Sequence, residues 1–167
     1  RRFAGPLRTT RPEFRLEQLA WAWDNLAPPL TSTLDIGGND LGYIKGFQSP
    51  ETEQDSSLSF RWTTGQSWAR MVAPEGAGRL VLVVRWHSLA WPGKPDPNRQ
   101  VQVRINGVSG ASHLVTPGWE EGRIEAGEIA ANSPVIVELL TKAERPPGAE
   151  TRLLGIAVDS LRLERER

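Results

Sequence analysis

The chain of 167 residues has the length of one domain and can bury a substantial core without covalent staples. Lys plus Arg and Asp plus Glu each total 20, and this zero net charge argues against nucleic acid as a partner, since that class carries a basic excess. Cysteine is absent, which excludes disulfides, thiolate metal sites and a cysteine nucleophile.

Residues 1 to 15 carry Arg1, Arg2, Arg8, Arg11 and Arg15 with Pro6 and Pro12 among them, the pattern of an extended, solvated arm. Leu16, Leu19, Ala20, Trp23 and Ala27 then recur at helical spacing, so a short amphipathic helix is expected from about Glu13 to Asn25, ending before Pro28-Pro29. Its apolar face would pack on the rest of the domain, or, alternatively, lie at a membrane surface with Trp21 and Trp23 at the interface. No apolar run approaches the roughly 18 residues that span a bilayer. The longest, Leu80 to Val84, is of strand length.

From Thr33 the period changes to two, dividing the chain into an arm and helix over residues 1–30 and a β-domain over residues 31–167. Strands are expected at Leu34–Ile36, Tyr43–Phe47, Leu58–Trp62, Trp68–Val72, Arg79–His87, Val101–Ile105, Ser112–Val115, Trp119–Glu125, Val135–Thr141 and Leu153–Leu163. A turn at Thr64-Gly65 separates two of them, and Asn106-Gly107 is the strongest hairpin signal in the chain. Ala90–Asn98 and Lys142–Glu150 are the extended loops. Short strands at this spacing, with no helices alternating between them, specify an all-β fold: an antiparallel β-sandwich of the jelly-roll type.

Within the closing strand, Asp159 shares alternation parity with Leu161 and Leu163 and is expected to point inward. A buried carboxylate needs an arginine, a ring of backbone amides or a metal ion, and Arg61 and Arg152 are the candidate cations.

Seven Trp stand against a single Tyr. Flat indoles stack on the C–H faces of sugars, so each has to be weighed as core or contact. Trp62 and Trp86 alternate with apolar residues and are expected in the core, whereas Trp91 lies in a Pro- and Gly-rich loop where no periodicity demands an aromatic. Trp91 is therefore a candidate carbohydrate platform, the alternative being a lid on the sandwich edge. Trp119, after Pro117-Gly118, is a second candidate.

The closing strand, Val158-Asp159-Ser160-Leu161-Arg162-Leu163, resembles the last strand of galactose-binding and carbohydrate-binding-module jelly rolls. Taken in order, Leu34-Asp35-Ile36-Gly37, Gly42-Tyr43-Ile44-Lys45-Gly46-Phe47 leading to Pro50-Glu51, Phe60-Arg61-Trp62-Thr63, Val103-Arg104-Ile105-Asn106-Gly107 and Leu154-Gly155-Ile156-Ala157-Val158-Asp159 are similar to the jelly-roll domains of bacterial integral membrane proteins related to dolichyl-phosphate-mannose-type glycosyltransferases. The resemblance implies a non-catalytic, extracytoplasmic domain of a membrane-anchored parent, with carbohydrate or the rest of that parent as partner. The start on Arg1-Arg2 and the end on Glu164-Arg165-Glu166-Arg167 agree with a piece of a longer polypeptide. The resemblance also nominates Asp35, Asp40 and Asp159 as ligands of a structural calcium, with no cofactor required otherwise. The alternative is that Asp35 and Asn39 make turns and Asp159 pairs with arginine. A purely structural or protein-interaction domain is the rival functional reading.

Enzyme chemistry finds little support. No Gly-x-Ser-x-Gly elbow occurs, His87 and His113 lack metal-ligand spacing, and Glu120, Glu121 and Glu125 alternate as a solvated strand face would.

Overall fold

The structure, a computed structural model, describes residues 12–53, 56–94, 96–148 and 150–167. Helix α1 (Pro12–Asn25) precedes strands β1 (Thr33–Asp35), β2 (Ile44–Phe47), β3 (Glu51–Thr52), β4 (Ser59–Val72), β5 (Arg79–Ser88), β6 (Arg99–Ile105), β7 (Val108–Val115), β8 (Glu120–Gly127), β9 (Pro134–Thr141) and β10 (Ile156–Glu166). The extended arm expected before Pro12 lies outside the described residues.

The strands form the expected antiparallel jelly-roll sandwich. One sheet runs β8-β5-β10, with β1 and the first half of β4 on the far side of β10. The facing sheet runs β7-β6-β9, then the second half of β4, then β2. Alternate residues of both sheets meet in one core: Leu80, Leu82, Val84 and Trp86 from β5, Ile156, Val158, Leu161 and Leu163 from β10, Val101, Val103 and Ile105 from β6, and Val135, Val137 and Leu139 from β9. Asn106 (φ 50°) and Gly107 (φ 80°) close the β6–β7 hairpin with two left-handed residues, as the Asn-Gly pair demands.

Three local expectations are corrected. Thr64-Gly65 is not a turn, because β4 is one strand of 14 residues that crosses from one sheet to the other at this point. The crossing is held by side chains. Thr64 Oγ1 and Ser67 Oγ donate to the Gly46 carbonyl at 2.9 and 2.6 Å, and the Ile156 amide donates to Thr63 Oγ1 at 2.9 Å.

Second, the parity argument for Asp159 fails at a β-bulge. The register of β10 against β5 shifts between Val158 and Ser160, so Val158 and Leu161 both face the core and Asp159 turns to the opposite face, beside Ala157. Asp159 is still compensated by a cation, but by Arg85, whose Nε lies 3.2 Å away, and not by Arg61 or Arg152.

Third, α1 packs on the sandwich as expected and buries Leu19 of the expected face, with Leu16 and Trp23 half-buried, but Ala22 joins them while Ala20 and Ala27 are exposed. Arg70 fixes the helix end by donating to the carbonyls of Trp23 and Leu26 at 2.9 and 2.8 Å while its guanidinium lies 4.6 Å from the Trp23 ring. Among the described residues no helix is long and apolar enough to cross a membrane.

Candidate glycan-binding loop end

One end of the sandwich gathers the long loops. The segment after β5 and the segment after β7 are joined where the Ser88 amide donates to the Thr116 carbonyl at 3.1 Å. The segment between β9 and β10 folds back on itself through paired Glu144–Leu154 backbone hydrogen bonds of 2.9 and 2.8 Å. It is tied to β3 by Arg152, whose Nη2 lies 2.6 Å from Glu51 Oε1. Arg152 also pairs with Glu150 at 2.8 Å, and its hydrogen bonding pulls the Glu150 carboxyl down to about 2 against the opposing effect of desolvation, so the Arg152–Glu150 pair is charged at neutral pH.

On the outer face at this end lies a second apolar cluster of Phe60, Trp62, Leu154 and Ala157, with Leu58, Leu89 and Trp119 packed on it. Trp62 is buried as expected, but here and not in the main core, because the first half of β4 presents Phe60 and Trp62 outward. Trp86 does belong to the main core. The rings meet edge to face: Phe60 to Trp62 at 5.9 Å, Phe60 to Trp119 at 5.5 Å, Trp62 to His87 at 5.4 Å and His87 to Trp119 at 4.4 Å. Desolvation lowers the His87 pKa, so this ring stays neutral at neutral pH and behaves as part of the floor.

Trp119 is half-buried and forms the outer member of the cluster. Its indole N–H donates to Glu53 Oε1 at 3.3 Å, and the Arg85 guanidinium lies 5.5 Å from its ring. Arg85 in turn pairs with Asp159, whose carboxyl is raised by desolvation despite the opposing pull of Arg85, with Asp35 and Glu53 adding to the rise. A partly exposed indole thus carries a guanidinium over its ring and a carboxylate on its N–H. Phe60, His87 and Arg85 are parts of this site that sequence reasoning passed over. The available signal was that Arg85 and His87 alternate out of phase with Leu82, Val84 and Trp86 on β5.

Trp91 is half-buried in the loop after β5, with the Lys94 ammonium 4.8 Å from its ring centre. The structure brings Trp91 and Trp119 to the same end of the sandwich but records no ring contact between them.

The three carboxylates nominated for calcium do not make a cation cage. Asp40 Oδ2 and Oδ1 accept from Arg61 Nε and Nη2 at 2.8 and 3.1 Å, and Asp40 Oδ2 also accepts from the Gly37 amide at 2.7 Å. Asp159 is paired with Arg85, and Asp35 is exposed in the turn closed by the Gly38 amide on its carbonyl. Among the described residues no group of three metal-capable side chains is brought together.

No protein-family model matches the chain, and no curated protein matches it. Solved structures do. A family 35 carbohydrate-binding module from Clostridium thermocellum aligns over 81% of this chain and 100% of its own, with a TM-score of 0.53 and 16% identity. A family 36 carbohydrate-binding module domain of a multidomain xylanase, from the hindgut metagenome of Trinervitermes trinervoides, aligns over 81% of this chain and 97% of its own, with a TM-score of 0.51 and 12% identity. At such identities the likeness is one of fold: the chain has the jelly-roll architecture that these carbohydrate-binding modules also have.

Proposed function

We propose that this domain binds glycan without catalysing its cleavage, and that the loop end around Trp119 is the binding face. The observation that carries the reading is the half-buried Trp119 indole, held edge to face by Phe60 and His87, with the Arg85 guanidinium over its ring and Glu53 on its N–H. An indole fixed in this way meets the C–H face of a pyranose while the charged rim bonds its hydroxyls. Trp91 contributes a second aromatic from the neighbouring loop.

The carboxylates of this end are engaged in structural bonds, which supports binding over acid–base chemistry. Glu51 accepts from Trp62 Nε1 and Arg152, and Glu53 from Trp119 and Ser56. The likeness in fold to carbohydrate-binding modules points the same way. The motif resemblance extends the proposal to location: an extracytoplasmic domain of a membrane-anchored, glycosyltransferase-like parent.

The test is a titration of the labelled domain with neutral oligosaccharides, followed by nuclear magnetic resonance. One stacked ring with a few hydrogen bonds gives millimolar to high-micromolar affinity, about 4 to 6 kcal/mol. Shifts centred on Trp119 and lost in Trp119→Ala are the expected result. No shift with any sugar, neutral or acidic, at millimolar concentration would overturn the proposal in favour of a structural or protein-interaction domain.

A further inference from the structure

Beside Trp91, the loop end holds a cleft of about 420 Å³ whose lining carries three cations, Lys94, Arg99 and Lys142, against two carboxylates, Asp96 and Glu144. Its charges do not balance. Glu144 alone receives three cations: Arg99 Nη2 at 2.9 Å and Lys94 Nζ at 3.5 Å on one oxygen, and Lys142 Nζ at 3.7 Å on the other. Asp96 is exposed, and its Oδ1 accepts from the Asn98 amide.

Two of the three cations are not solvated surface groups, and the third, Lys142, stands at the open side. The Lys94 and Arg99 side chains are only 3% and 8% exposed. An ammonium has three N–H donors and a guanidinium five, and burial makes each unmet donor costly. Lys94 has one long bond to Glu144 and the face of Trp91. Arg99 has Glu144, a 3.5 Å bond to the Asn98 carbonyl, and an Nε that is buried with no acceptor. Donors therefore exceed acceptors around an open cleft. An incoming group rich in oxygen lone pairs and carrying negative charge is what this arrangement lacks.

We propose that the cleft is an oxyanion subsite, with Lys94, Arg99 and Lys142 as its donors, that takes the carboxylate or sulfate ester of an acidic glycan. The proposal rests on the glycan reading above and specifies its ligand: a chain whose neutral rings lie at Trp119 and whose charged substituent enters between the loops after β5 and β9. Gln100 supplies a neutral amide at the cleft wall, and Leu114, exposed on β7, its apolar side.

The experiment compares matched neutral, uronate-containing and sulfated oligosaccharides, together with inorganic sulfate alone, on the native domain, Lys94→Met and Lys142→Ala. Lys94→Met keeps the buried stem, and Lys142, being 81% exposed, can be replaced without threatening the fold. The expected result is at least a tenfold preference for one acidic series over the neutral one, declining with salt. The series preferred tells carboxylate from sulfate ester. Either substitution should reduce that preference at least threefold while leaving neutral-sugar shifts at Trp119 unchanged. Equal affinity for neutral and acidic chains, or a preference that survives both substitutions, would overturn the proposal while the glycan reading stands. If inorganic sulfate moves the Lys94 and Lys142 signals but no oligosaccharide of any series binds, the cleft is an oxyanion site and the glycan assignment fails.

Discussion

Arg61 grips both carboxylate oxygens of Asp40, and the two side chains are only 9% and 1% exposed. The same guanidinium donates through Nη1 to the Gln48 carbonyl at 2.9 Å, while Asp40 accepts from the Gly37 amide. One buried pair therefore fastens the β1–β2 connection to β4. Breaking such a pair leaves an uncompensated buried charge, so Asp40→Ala should lose about 3 to 5 kcal/mol in urea unfolding. Replacing both partners, Asp40→Leu with Arg61→Met, should lose less than either single change. Because Asp40 is committed to arginine, a chelator should leave the melting temperature of the native domain unchanged. A drop of several degrees would instead place a metal on these carboxylates.

Asp159 gives a pH signature of defined sign. Desolvation raises its pKa above the ordinary 3.8, with Arg85 opposing and Asp35 and Glu53 reinforcing the rise. An acid whose folded pKa exceeds its unfolded value binds more protons when folded, so stability falls as pH climbs from the unfolded value through the folded one. Asp159→Asn should abolish that segment of the pH–stability curve, and a carbon-detected titration of the native domain should find the Asp159 midpoint above 3.8.

The sandwich, most strand limits, the Asn106-Gly107 hairpin and the two long loops were legible because alternation and turn chemistry are local. What escaped was tertiary. Whether β4 turns or continues at Thr64-Gly65 depends on Gly46 and Ile156, which are distant in sequence and bond to its hydroxyls. The facing of Asp159 depends on a bulge that exists only in the pairing of β10 with β5. Lys94, Arg99 and Glu144 come together only because two loops fold over one end, so no spacing in the chain announces the cleft.

His87 should couple acidity to the binding face. Burial lowers its pKa below 6.5, with the Ser88 carbonyl and Glu53 only partly opposing. For a base whose folded pKa is depressed, the unfolded chain binds more protons between the two values. Stability is therefore full above the unfolded pKa and is lost as pH falls below about 6.5 towards the folded pKa. The charged ring would sit 4.4 Å from Trp119, so its protonation should loosen that indole. Tryptophan emission should shift on acidification of the native domain, and the component between neutrality and the folded pKa should vanish in His87→Gln.

At Gly155 three segments of the chain approach closely. A methyl group there would fall on Thr63 Oγ1, within 2.7 Å of Thr141 Cγ2 and 3.0 Å of the Thr64 carbonyl. Thr63 is fully buried and Thr141 nearly so, and Thr63 Oγ1 holds the Ile156 amide, so neither side chain can yield freely. Overpacking of this kind costs about 1 to 3 kcal/mol, to which loss of the Thr63 bond adds roughly 1 kcal/mol. Gly155→Ala should therefore destabilise the domain well beyond Gly110→Ala, whose methyl would meet only the Val103 carbonyl at an ordinary 3.7 Å. The two substitutions should also part in binding. Leu154, the neighbour of Gly155, is buried in the cluster beneath Trp119, so displacing this segment moves the aromatic floor. Gly155→Ala should weaken glycan shifts at Trp119 under conditions where the variant remains folded, and Gly110→Ala should leave them intact. Equal binding by both variants would mean that the floor is not what positions the indole.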